Sequence, residues 1–298
     1  MANLKEVRER ITSVKSTQQI TKAMKMVAAA KLRRAQQAIV EMRPYSNKLS
    51  AMLSNILSNL EGDASTSFGV ERPVKNALVV VVTSNRGLCG GFNTNVAKLA
   101  IELSTTKYKA EYKAEKLTYL FIGKKGYDYL KNRVPGAILN TEHMNLVTKT
   151  FGFEDSSRVA SELMANFEGG QYDSIDIVYA QFKNAAVQNF TVEPFLPVAK
   201  LEVAEDSADE NADFIFEPNK EDLLDYLVPT ILKTQLHKTI LDSNASEQGA
   251  RMTAMENATE NAEDLLKELK INYNKARQEA ITAEISEIVG GVAALEDA

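Results

Sequence analysis

The chain has 298 residues, of which 44% are hydrophobic, and a net charge of −5. This length and composition predict a folded protein of one or two domains with a packed core. No apolar run is long enough to span a membrane, and the charged N-terminus lacks a signal-peptide core, so we expect the chain to stay in the compartment where it is made. The single cysteine excludes an internal disulfide and fits a reducing compartment.

Residues 1–60 have the pattern of one long helix. Two series of positions seven apart, which begin at Leu4 and Val7, form the a and d seam of a coiled coil. The seam turns polar at Gln18, Thr21 and Lys25, so the partner must be polar there or the two helices must separate. The stretch 15–34 contains no acid and six basic residues: Lys15, Lys22, Lys25, Lys31, Arg33 and Arg34.

Residues 74–203 alternate strand-like and helix-like segments. The run 76–84 is apolar and β-branched, which suits a strand buried on both faces. The alternation that follows predicts a mostly parallel sheet covered by helices, a Rossmann-like α/β domain. Prolines within 189–203 are typical of edge strands. The acidic stretch 204–218 is predicted to be a linker.

Residues 219–298 predict a second long helix. Its seam steps by three and four from Met252 to Ala280, then shifts by one residue from Ile281 onward. Two long helices at opposite ends of one chain most simply bury their apolar seams against each other. The predicted fold is therefore mixed α and β, a long antiparallel coiled coil of the N- and C-terminal helices with an inserted α/β domain.

The turn NRGLCGG lies between a predicted strand and a predicted helix, where backbone amides can bind phosphate. Its glycines match neither the dinucleotide-binding pattern nor a Walker A loop. A tight turn that needs positive φ is the better explanation.

Few side chains could form an active site. Cys89 could act as a nucleophile, but the two histidines, His143 and His237, lie in no recognisable catalytic context. The usual spacings of zinc ligands are absent, and the paired carboxylates lie on charged helical stretches. We therefore expect no catalytic residue, no cofactor and no metal site.

The basic stretch 15–34 has two candidate partners. Nucleic acid would attract its charge, but no aromatic residues interleave with it and no DNA-binding layout is present. An acidic protein surface would be served equally well. A merely solvated helix face would not explain why acids are missing over the whole stretch.

Three parts of the sequence together resemble one family, the gamma subunits of F-type ATP synthases. They are ITKAMKMVAAAKLRRAQ at 20–36, TSNRGLCGGFN at 83–93, and SEQGARMTAMENATENA followed by YNKARQEAITAEISEIVGG within 246–291. Their order and spacing extend the resemblance over the whole chain. Gly290 and Val292 stand where the family commonly has Ser and Ala.

The resemblance implies a rotor without an active site of its own. Family members place the coiled coil inside a hexamer of alpha and beta subunits, and the α/β domain beside epsilon on the ring of c subunits. Proton flow turns ring and shaft, and the shaft drives the beta sites through ATP synthesis or hydrolysis. The implied partners are thus alpha, beta, epsilon and the c-ring, with delta as an indirect partner and no nucleic acid. The implied location is peripheral, on the cytoplasmic side of a bacterial inner membrane.

The matching motifs also imply contact residues. Those implied to contact alpha and beta are Lys22, Met24, Lys25, Glu247, Arg251, Arg277, Gln278 and Thr282. Those implied to lie in the sleeve at the top of the hexamer are Ile285, Ile288, Val292 and Leu295. Phe214 and Glu217 match positions near the c-ring and epsilon.

Two functions from other classes are kept as alternatives. One is a cytosolic coiled-coil adaptor that binds nucleotide or nucleic acid through its α/β domain. The other is a thiol enzyme that uses Cys89.

Overall fold

A computed structural model describes residues 4–58, 67–147, 151–198 and 220–296. Its elements in chain order are α1 (Leu4–Ser58), a 3₁₀ turn (Ser67–Gly69), β1 (Ala77–Val82), α2 (Phe92–Thr105), α3 (Lys109–Lys113), β2 (Leu117–Ile122), α4 (Lys124–Leu130), β3 (Ile138–Asn140), α5 (Phe153–Glu168), β4 (Ser174–Phe182), β5 (Gln188–Leu196) and α6 (Lys220–Glu296). None of the described helices combines the length and the apolar character that crossing a membrane requires.

The five strands form one sheet in the order β3-β2-β1-β4-β5. β1 pairs in parallel with β2 and with β4, and β2 pairs in parallel with β3. The last strand, β5, runs antiparallel to β4 at the edge. The predicted mostly parallel sheet and its proline-containing edge strand are therefore confirmed. The short α3 and β3 were not predicted, because five and three residues are too few to show a period.

Every residue of β1 is buried, as its apolar sequence predicted. Alternate side chains point to opposite faces of a strand, so β1 contributes to two separate cores. Val79 and Val81 pack with α2 residues such as Val96 and Ala100. Val80 belongs to the core on the other face.

The core on that second face includes the first part of α6. Leu227, Leu232, Leu236 and Ile240 pack in the same cluster as Val80. A helix that covers a sheet needs a broad apolar face rather than a narrow heptad seam. This explains why the regular seam in the sequence begins only at Met252.

The chain divides into two compact units, one of Met1–Ala28 with Met252–Ala298 and one of Ala29–Arg251. The predicted boundaries of 1–60, 74–203, 204–218 and 219–298 stay a prediction.

The first unit is an antiparallel pair of helical segments. Thr21 Oγ1 lies 2.7 Å from Thr259 Oγ1, and one helical turn further along α1 the Lys25 ammonium pairs with the Glu256 carboxylate. Residue numbers therefore rise along α1 as they fall along α6, which confirms the predicted antiparallel coiled coil. The polar stretch of the seam meets a polar partner. Other seam positions of this unit are buried, namely Val7, Ala28, Met255, Ala262, Leu266 and Leu269.

The last part of α6 is exposed to solvent. The pairing of Thr21 with Thr259 places Leu4, the first described residue of α1, near Ala276. Described residues from 277 to 292 are all exposed. The predicted shift of the seam at Ile281 thus coincides with the point where the described part of α1 no longer lies alongside.

We expect Leu236→Ala to lower the free energy of unfolding by about 2–5 kcal/mol, because Leu236 is completely buried and its truncation leaves a cavity. Urea unfolding of the purified chain measures this change. Tyr226→Ala on the same helix is the control, since Tyr226 is 71% exposed and its loss should change stability by less than about 0.5 kcal/mol. Equal losses for both variants would contradict the assignment of α6 to the core.

Candidate functional site

The glycine-rich turn after β1 is closed by its own side chains. The Asn93 Oδ1 atom accepts a hydrogen bond from the Ser84 backbone N–H at 3.0 Å, and the Asn93 Nδ2 atom donates to Ser84 Oγ at 2.7 Å. Gly90 has a φ of 58°, which confirms a tight turn with positive φ, and Leu88 also adopts a positive φ of 63°. The turn is thus a compact structural element.

Cys89 lies inside this turn and is only 1% exposed. Burial raises the pKa of its thiol, while the Ser84 hydroxyl and the Arg251 guanidinium lower it by smaller amounts. A buried thiol with a raised pKa is a poor nucleophile because the reactive form is the thiolate. The structure therefore gives no support to the thiol-enzyme hypothesis.

The sheet has a topological switch point between β1 and β4, because the chain adds strands on one side of β1 and then crosses to the other. Ligands of open α/β sheets bind at the carboxyl ends of the strands at such a point. In this chain α6 lies there. Ser243 Oγ donates to the Val82 carbonyl at 3.4 Å, and a Cβ atom on Gly249 would lie only 3.0 Å from the Ala185 carbonyl oxygen. The crevice that a nucleotide would need is filled by the chain's own helix.

Arg251 and Glu247 form an ion pair on α6. Arg251 Nη1 lies 2.6 Å from Glu247 Oε1, and the two side chains are 12% and 13% exposed. The other terminal nitrogen, Nη2, donates to the carbonyls of Arg86 and Gly87 at 3.2 and 3.3 Å. Burial raises the pKa of Glu247, opposed by the nearby charges of Arg251 and Lys31. These two residues fasten α6 to the glycine-rich turn, and their implied contact with alpha or beta stays a prediction.

The basic residues of α1 are arranged around the seam. Lys22 is exposed, Met24 is half-buried, and Lys25 pairs with Glu256 across the coiled coil. Lys31, Arg33 and Arg34 are also exposed. Glu256 was not singled out in the sequence, although its place directly after the seam residue Met255 was a usable signal.

The implied contact residues near the end of α6 are exposed along successive turns. Arg277, Gln278 and Thr282 are exposed, and Thr282 Oγ1 donates to the Gln278 carbonyl at 2.9 Å. Three of the implied sleeve residues, Ile285, Ile288 and Val292, are more than half exposed, and with Ile281 and Val289 they form an exposed apolar surface. Exposed apolar surfaces are typical of interaction sites, and the implied contact with the sleeve stays a prediction. Leu295 lies within α6, but its side chain is outside the described residues, as are Phe214 and Glu217.

His237 lies where α6 meets the start of α5. Its Nδ1 atom is 2.7 Å from Ser156 Oγ, and its ring makes edge contacts with Phe151 and Phe153. Burial lowers the pKa of the imidazole. The contacts around it are aromatic and structural, so His237 serves the packing of the two helices.

A family model described as ATP synthase matches residues 3–295. The chain is 50% identical to the ATP synthase gamma chain of Cytophaga hutchinsonii over 300 residues, which covers 100% of both chains. It is 51% identical to the ATP synthase gamma chain of Flavobacterium johnsoniae over 298 residues, which covers 99% of each chain.

Solved structures with a similar fold also come from ATP synthases. A chain of the Euglena gracilis mitochondrial ATP synthase, from an assembly of OSCP, F1 and c-ring, is 26% identical with a TM-score of 0.67, and the match covers 98% of this chain and 94% of that one. A chain from the central stalk and c-ring of the Tetrahymena thermophila mitochondrial ATP synthase is 25% identical with a TM-score of 0.54, covering 80% and 99%. The comparisons give no support to an adaptor that binds nucleic acid.

We expect the stability contributed by neutral His237 to be present above about pH 6.5 and to be lost as the pH falls below it. The pKa of His237 is lowered in the folded chain, so the unfolded chain takes up the proton first. His237→Gln should therefore show a smaller decrease in Tm than the wild type between about pH 7.5 and about pH 5.5. Calorimetry of both proteins tests this, and an equal decrease would show that His237 is not buried as described.

Proposed function

The chain belongs to the ATP synthase gamma-chain family, a central-stalk subunit, and we propose that it is the rotor shaft that couples proton flow through a c-ring to ATP synthesis or hydrolysis at beta-subunit sites. The observation that carries the proposal is the whole-length match at about half identity to ATP synthase gamma chains. In this role the chain is not catalytic and holds no nucleotide, which fits a crevice already filled by α6.

A shaft can transmit torque only if its long helix is held firmly on the rest of the chain. The body of this chain is the α/β unit, and α6 is fixed to it by a buried apolar face that includes Leu232 and Leu236. The Arg251 guanidinium adds two hydrogen bonds to the glycine-rich turn. In our proposal α6, which extends from Lys220 to Glu296, transmits the rotation.

The surface of α1 suits a partner that it must slide past. The stretch between Ile20 and Arg34 combines small or flexible apolar side chains, such as Met24 and Met26, with basic ones. Methionine adapts to changing neighbours, and exposed charge attracts an acidic surface without a deep fixed interface. In our proposal Lys22, Lys31 and neighbouring arginines face acidic residues of beta, and Lys25 reaches beta from its pair with Glu256.

The exposed end of α6 supplies the remaining contacts of the proposal. Arg277, Gln278 and Thr282 contact beta, and the apolar residues from Ile285 to Leu295 lie in the sleeve of the hexamer. A sleeve would bury apolar side chains that are exposed to water in the isolated chain. This burial favours insertion of the end of α6 into the hexamer.

The proposal also assigns a place in the cell. The shaft would lie at the cytoplasmic side of a bacterial inner membrane, held there through the c-ring and epsilon, with Phe214 and Glu217 near those subunits and delta as an indirect partner. The relatives from Cytophaga and Flavobacterium are bacterial, which supports this location.

Reconstitution tests the proposal. The purified chain is mixed with folded alpha and beta subunits of a close relative, and the complex is isolated by size and assayed for ATP hydrolysis. We expect a stable, active complex that contains a single copy of the chain per hexamer. Folded partners that leave the chain unbound would contradict the shaft proposal.

We expect Arg277→Ala combined with Gln278→Ala to lower ATP turnover of the reconstituted complex by at least about tenfold while assembly remains, because each removes exposed polar contacts rather than packing. The matched control is Lys270→Ala combined with Asn272→Ala, two exposed positions earlier on α6. Quantified complex and turnover per complex separate the two effects. Loss of assembly with normal turnover per complex would overturn the assignment.

A further inference from the structure

One cluster within the described ranges brings three metal-binding side chains together, those of Glu142, His143 and Glu162. One donor atom of each lies within 4.8 Å of the other two, and His143 Nε2 is 2.7 Å from Glu162 Oε2. We propose that this cluster on the α/β unit binds a divalent transition-metal ion, with zinc as the expected ion. The proposal is independent of the rotor function.

The donor set selects the metal. An imidazole nitrogen with carboxylate oxygens is typical of zinc sites, whereas magnesium and calcium prefer oxygen ligands alone. Two carboxylate ligands would together balance the charge of a divalent ion. Three protein ligands leave a fourth tetrahedral position for water.

The distances are close to those that zinc requires. With metal–ligand distances near 2.1 Å, the donors of a tetrahedral site lie about 3.4 Å apart. The His143–Glu162 contact, now 2.7 Å, would open to admit the ion. Glu142 is exposed and Glu162 is partly exposed, so both carboxylates have room to rotate toward an ion.

The backbone around the cluster is held in place. The Glu142 N–H donates to Asn140 Oδ1 at 2.9 Å, and the Gly123 N–H donates to the Met144 carbonyl at 3.1 Å, which ties this turn to the end of β2. Glu162 lies well inside the 16-residue helix α5. Ligands on fixed elements lose less conformational freedom when they bind an ion.

An ordinary ion pair does not account for all three side chains. The His143–Glu162 contact uses one carboxylate, and Glu142 brings a second carboxylate oxygen within 4.8 Å of the donor atoms of both residues. The sequence predicted no metal site because two ligands are adjacent and the third lies 19 residues after His143, a spacing outside the usual zinc motifs. Packing of α5 against the turn creates the cluster.

Calorimetric titration of the full-length chain with zinc chloride tests the proposal. We expect one site of micromolar or tighter Kd, a Kd weakened by at least about tenfold in His143→Ala, and no saturable heat with magnesium chloride. His237→Gln is the matched control, because it removes the other histidine of the chain and should leave the zinc Kd unchanged. Cys89 is 1% exposed and does not compete.

Glu142→Gln keeps the test decisive if His143→Ala fails to fold, since Glu142 is exposed and its side chain is nearly isosteric with glutamine. It should also weaken the zinc Kd by at least about tenfold. The proposal is overturned if the wild type shows no saturable zinc binding, or if the folded variants at 142 and 143 bind zinc as the wild type does. None of these results bears on assembly with alpha and beta.

Discussion

The burial of one face of α6 on the sheet is the interaction on which the rest of this structure depends. It completes the core on one side of β1, and it fills the switch point where related α/β folds bind ligands. The same packing makes the first part of the 77-residue helix α6 part of the α/β unit. Most of the stability of a helix in a folded protein comes from the packing of its apolar face, and the sheet provides that packing for the first part of α6.

The coiled coil, unlike the apolar packing of α6 on the sheet, includes polar pairs that fix its register. An apolar seam throughout would be more stable but would specify its register poorly, because heptads can slip by whole repeats. The Thr21–Thr259 hydrogen bond and the Lys25–Glu256 ion pair fit each other in a single register. Both lysine and glutamate are partly exposed, so their pair contributes little to stability and more to alignment. The apolar residues near the end of α6 differ from the seam residues, because they are exposed to solvent. They are therefore available to a partner protein.

Much of this fold was predictable from local patterns. The continuous apolar run of β1 indicates a strand buried on both faces, and the seven-residue repeat of the seams at Val7 and Met255 indicates the buried face of each long helix. The packing of Leu227 to Ile240 on the sheet was not predictable, because a broadly apolar helix face fits both a coiled coil and a sheet. The Arg251 hydrogen bonds to the glycine-rich turn and the contact of His143 with Glu162 were also not predictable. Their partners are far apart in the sequence and meet only through tertiary packing. The contacts with partner subunits were inferred from the family resemblance, and they stay a prediction.

The central claim is that the α/β unit and α6 turn together as a shaft, and single-molecule rotation tests it most directly. A hexamer reconstituted with this chain is fixed to glass, and a bead is attached to the exposed position of Lys113→Cys on the α/β unit, while Cys89 stays buried and unlabelled. The account predicts that ATP drives the bead in one direction in discrete steps. ATP hydrolysis at a normal rate beneath a bead that only diffuses would contradict it.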